Sequence, residues 1–182
     1  LLQPIKPWVL NYENTECFAE RQYGDASDPV LLAIRASATG DVYEILVGRK
    51  GFTPRSRYAE HRDGSINFGP GPVKVGLLQY PTKDKKLLLQ KFRLTGPVIA
   101  QARNATSARF TIKDGPDTRF ALRAMPDLFR GLDECSALLR KHWNADGRKT
   151  GIIATPATGD IRRIFSSEDY PGEAIYRDQE GT

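Results

Sequence analysis

The chain has 182 residues, 40% of them hydrophobic and 27% charged, with a formal net charge of +5. That balance belongs to a globular chain long enough to bury a core without metals or many disulfides, and no run approaches the ~18 apolar residues of a membrane-spanning helix. The positive excess is modest and reads as a solvated basic surface, compatible with acidic partners without demanding one.

Along residues 7–23, Trp8, Leu10 and Tyr12 alternate, a polar turn follows, and Cys17, Ala19 and Tyr23 return on one face. This is a hairpin pattern, with Arg21 on the apolar face, either at its margin or paired with an acid. Residues 30–36 (VLLAIRA) and 42–47 (VYEILV) are apolar enough for buried strands joined by a turn at 37–41. Residues 49–71 are less regular and hold Arg49, Lys50, Arg55, Arg57, Arg62 and His61 against Glu60 and Asp63. The aromatics among them are too sparse for a nucleic-acid stacking platform. The segment is therefore expected to form polar loops and edge strands kept apart by charge. Gly69-Pro70-Gly71-Pro72 is a poor phosphate loop, because proline lacks the N–H that such loops aim at an anion.

Residues 73–80 and 86–94 form the next expected hairpin, turning at 81–85, whereas 96–107 fits a helical turn or an irregular strand. In 108–124, Phe110, Ile112, Phe120 and Leu122 alternate with Arg109, Thr111, Lys113, Arg119 and Arg123 around Asp114-Gly115-Pro116-Asp117. One face of that hairpin is apolar and the other basic. Arg109, Lys113, Arg119 and Arg123 are thus the candidate binding face.

Residues 127–144 carry the one strong helical period of the chain. Leu128, Leu132, Cys135, Leu139 and Trp143 form a stripe, Asp127 is the expected N-cap, and Arg140, Lys141 and His142 suit the negative end of the helix dipole. A lone amphipathic helix buries its stripe on a sheet. The expected fold is α+β: antiparallel sheets, either a sandwich or one curved sheet, covered by this C-terminal helix. Composition changes beyond residue 148, so a domain spanning 1–148 is expected, with 149–165 a linker or edge segment.

No catalytic or cofactor constellation is present. His61 and His142 fit no metal spacing, and HExxH, GxSxG, GxGxxG and the P-loop pattern are absent. Asp63-Gly64 and Asp114-Gly115 read as hairpin turns, and Asp133-Glu134 as a solvent-facing acidic pair. Cys17 and Cys135 are either small buried hydrophobes or, in an oxidising compartment, a disulfide tying the N-terminal hairpin to the helix, with Cα atoms about 5.5–6 Å apart.

The segment Asp169-Tyr170-Pro171-Gly172-Glu173-Ala174-Ile175, followed by Glu180-Gly181-Thr182, resembles the opening of a TonB C-terminal domain. Tyr170, Pro171, Ala174 and Gly181 stand at the motif positions, while the later strands that contact a receptor are missing. Upstream, Trp8-Val9-Leu10-Asn11-Tyr12, Cys17 and Arg21-Gln22-Tyr23-Gly24 resemble the N-terminal signature of an extracytoplasmic domain in bacterial TonB-family proteins. The closing helix of that domain also carries a Cys and ends near a Trp, although the usual Gly after the Trp is here Asn144. The resemblance implies a periplasmic, non-catalytic domain of an energy transducer, with 166–182 the start of a truncated receptor-binding module. Its implied partners in the full-length protein are an outer-membrane TonB-dependent receptor and inner-membrane motor proteins; no nucleic acid, no cofactor and no membrane span within this stretch are expected. Two rival readings are a stand-alone periplasmic binding module using the basic face and an unrecognised hydrolase. Because the chain begins Leu1-Leu2 and not with Met, removal of something upstream is also expected, whether a signal peptide, a membrane anchor or sequence beyond an arbitrary boundary.

Overall fold

A computed structural model describes residues 1–12, 16–37, 42–50, 59–82, 87–94 and 96–143. The compact unit spans Leu1–Ala145, and the 149–182 expectations, Tyr170, Pro171, Ala174 and Gly181 among them, lie outside the described residues.

Nine strands build one antiparallel sheet: β1 (Val9–Tyr12), β2 (Cys17–Gly24), β3 (Pro29–Ala36), β4 (Tyr43–Arg49), β5 (Glu60–Asn67), β6 (Val73–Pro81), β7 (Leu88–Leu94), β8 (Ser107–Ile112) and β9 (Asp117–Ala121). Their spatial order is β1-β2-β3-β4-β7-β6-β5-β8-β9. The sheet curls into a half-barrel, which decides for the single curved sheet over the sandwich. Among the described residues two helices accompany it, α1 (Pro97–Arg103) and α2 (Met125–His142). The single-helix expectation is thus corrected: 96–107 takes the helical option at its start, with Pro97 pre-setting φ in the first turn.

The inner face is set by the period-2 alternation. Cys17, Ala19 and Tyr23, then Ile34, Ile45, Phe92, Leu77, Ile66, Phe110 and Phe120, are buried on successive strands. A chain of rings crosses this interior, Phe92–Phe110 at 5.2 Å, Phe110–Phe120 at 5.6 Å and Phe120–Tyr23 at 4.9 Å between centroids. The alternation of the hairpins at 7–23, 73–94 and 108–124 matches the observed pairs β1–β2, β6–β7 and β8–β9.

The open side of the curl is stitched by the N-terminal segment. Leu2 exchanges backbone hydrogen bonds with β9, through Arg119 O at 2.7 Å and Ala121 N at 3.0 Å. Gln3 and Ile5 bond Gly24 and Gln22 of β2, both at 2.9 Å. Arg21 closes the same seam. Among the described residues it pairs with no acid; its Nε donates to Lys6 O at 2.6 Å, and its guanidinium lies over the rings of Trp8 and Tyr23.

The expected loops and edge strands of 49–71 contain instead a strand, β5, held between β6 and β8. Asp63-Gly64 is therefore mid-strand and not a turn. A Cβ on Gly64 would come within 2.6 Å of Thr111 O, so glycine permits the close approach of β8 at this point. Asp114-Gly115 does lie in the β8–β9 turn, with Asp114 at φ 56.

Candidate functional site

Helix α2 starts two residues before its expected N-terminus. Ala124, in a left-handed conformation, takes the N-cap place that was expected of Asp127, since Pro126 suits the first turn and lacks an N–H to satisfy. Asp127 sits in that turn and pairs with Arg130 at 2.6 Å. Leu128, Leu132, Cys135 and Leu139 are buried as the stripe requires, but Trp143 is not. It is the C-cap residue, 49% exposed, because the helix ends before it completes another turn over the sheet.

Two bonds fix this helix to the curl. Cys17 at the start of β2 and Cys135 on α2 form a disulfide with Cα atoms 6.0 Å apart, both cysteines fully or almost fully buried. The second is ionic. Arg103, at the end of α1, donates to both oxygens of Asp133 at 2.7 and 3.0 Å, and the Tyr43 hydroxyl of β4 donates to the same carboxylate. The guanidinium also stacks over Phe129 at 4.9 Å and Tyr43 at 5.6 Å. Asp133 is therefore only partly turned to solvent: it is the point where α1, α2 and β4 meet. Burial and the Asp133 carboxylate push the Tyr43 phenol up to about 12. Burial opposes ionisation of Asp133, but the hydrogen bonds from Arg103 and Tyr43 outweigh it and hold the carboxyl below its ordinary value. Sequence reasoning missed this triad because its three members lie 30 or more residues apart.

Of the expected basic face, Arg109 and Arg119 lie on β8 and β9, whereas Lys113 and Arg123 follow the ends of those strands. Arg109 and Arg119 are cross-strand partners, yet Arg109 is engaged by the Asp117 carboxylate, which both its Nε and Nη2 address. Arg123 lies past the end of β9, at the seam, where its carbonyl accepts from Trp8 Nε1 at 3.1 Å. Of the four named residues Lys113 lines a groove. That groove, about 610 Å³, lies over β5, β6 and β8 and is lined by Lys113, Lys74, Ser65, Thr111, Gly76 and Asp63. Lys74 was not legible as a partner of Lys113, because β5 had to be recognised before the two strands flanking it came together.

Among the described residues, no group of three or more His, Cys, Asp and Glu side chains is placed to hold a metal, and no helix is long and apolar enough to cross a membrane. No family model matches the chain, and neither a curated protein nor a solved structure matches it.

Proposed function

We propose that this is the periplasmic, non-catalytic domain of a TonB-like energy transducer, placed ahead of the receptor-binding module and bearing tension between inner-membrane motor proteins and an outer-membrane receptor. The observation that carries this reading is the Cys17–Cys135 cross-link. A disulfide of this sort persists in an oxidising compartment, which supports an extracytoplasmic place. Its position also suits a load. A pull applied to the two ends of the domain runs along the first residues to Cys17, across the sulfurs, and out along the last turns of α2. The 118-residue separation between the cysteines becomes a covalently closed loop that the pull cannot unravel. The sequence resemblance at 8–24 and 169–182 supports the same reading.

In the full-length protein, replacing both cysteines by serine should lower receptor-dependent transport severalfold, and thiol trapping in cells should find the wild-type cysteines blocked as a disulfide. Undiminished transport by the double variant, or free thiols in the wild type, would refute the proposal. The Lys74–Lys113 groove favours a second reading, docking of an acidic polymer or protein. Binding to polyglutamate that charge reversal at both lysines abolishes is its expected signature, and binding that both reversals leave intact would count against it.

A further inference from the structure

The interior of the curl is apolar beneath the helices and polar at the opposite end. Arg49, Arg62, Gln79, Gln90 and Thr118 belong to the inward-facing set of their strands, and each lies within two positions of the strand terminus at that end. Gln90, Gln79 and Thr118 are 2%, 9% and 4% exposed. Arg49 reaches from β4 to donate through Nη2 to Thr118 Oγ1 on β9. The strands β7, β6, β5 and β8 separate those two in the sheet, so this hydrogen bond crosses the interior. Gln90 Nε2 approaches Gln79 Oε1 at only 3.4 Å.

What the two arginines lack is an acceptor for Nε. The Nε atoms of Arg49 and Arg62 are both buried without a hydrogen-bond partner, and neither guanidinium forms an ion pair with any described carboxylate. Burying an unpaired donor is costly, the more so when it is charged, and a group left so in a folded protein calls for an ion or a water. A planar guanidinium fork with a buried, unpartnered Nε suits an oxyanion, which can take paired N–H bonds from it. Burial lowers the pKa of Arg49, and Asp28 of the β2–β3 turn acts in the opposite direction. Glu60, the register partner of Gln79, stands at the same rim.

We propose that this end of the curled sheet binds the carboxylate or phosphate group of a small molecule between Arg49 and Arg62. Glu60 and Asp28 at the rim offset the charge of the two guanidiniums, so a small anionic group fits the site and a polyanion does not. The site is separate from the Lys74–Lys113 groove, which lies on the outer face.

The test is titration of the wild-type protein with inorganic phosphate and, in parallel, with succinate, at constant ionic strength. A saturable rise in thermal midpoint with either probe is expected, and which probe gives it separates a phosphate ligand from a carboxylate one. Arg62→Met should weaken that binding ~10-fold or more while leaving the unliganded midpoint unchanged or raised, since an unpaired buried charge is removed. Lys74→Met with Lys113→Met should leave binding intact. In wild-type protein, the Nε–H signals of Arg49 and Arg62 should shift on saturation with the probe that binds, a readout that needs no variant. Absence of saturable binding by both probes, binding lost in the double lysine variant, or unmoved arginine signals would each overturn the proposal.

Discussion

Asp133 shows how much one side chain can collect. On sequence it is one half of an acidic pair on a helix surface; in the fold it receives Arg103 and Tyr43. The pair is partly open to solvent, with Arg103 and Asp133 side chains 34% and 43% exposed, so screening limits its worth. Arg103→Met should cost about 1–2 kcal/mol, counting charge-assisted hydrogen bonds and stacking on Phe129. The pH sign follows from the depressed Asp133 carboxyl. Its contribution is complete above the ordinary carboxylate range and disappears as pH falls through the lower folded value. Denaturant titrations below about pH 5 should therefore show a shallower acid loss for Asp133→Asn than for wild type. Parallel acid limbs would mean that the carboxylate stabilises nothing. Tyr43 carries the opposite sign. With its phenol at about 12, stability is held below the unfolded value near 10 and drains away between the two.

At the scale of elements, legibility followed burial chemistry. Strands whose inward positions are Ile, Phe, Leu or Val announced themselves, as did the stripe of α2. The strand β5 did not, because its inward positions are Glu60, Arg62 and Gly64 before Ile66. A period of two written in polar residues reads as a loop, and those same residues line the polar end of the curl. The candidate anion site and the strand missed from sequence thus have one cause. Trp143 failed for a different reason: periodicity marks a face but not where the helix stops. Two glycines separate backbone crowding from side-chain crowding. Gly64→Ala should destabilise by about 1–3 kcal/mol, since its Cβ would meet a fixed carbonyl of β8. Gly131→Ala meets only the far end of Leu10, at 2.8 Å, a side chain free to turn away, and gains up to ~1 kcal/mol of helix propensity. Thermal melts should rank Gly64→Ala well below wild type and Gly131→Ala level with or above it; the reverse order would show that the β5–β8 approach is not as close as described.

For the whole molecule, what sequence could not supply was long-range pairing. The hairpins were local and legible, but the order β4-β7-β6-β5-β8 and the stitching of residues 2–5 onto both β9 and β2 depend on partners far apart in the chain. The disulfide was one of two readings of the cysteines and became definite only with the fold. Under a pull on the ends of the domain it confines the chain that can extend to the stretches outside the Cys17–Cys135 loop. In the chain-entropy view, closing so long a loop is worth about 4–5 kcal/mol to the folded state. A pull on the ends of the domain separates the two situations directly. Single-molecule extension of residues 1–143 should release about 80 Å of chain under oxidising conditions and roughly 500 Å after reduction, at the extended reach of ~3.5 Å per residue. Equal extensions with and without reductant would contradict the account, because the cross-link would then not be carrying the load.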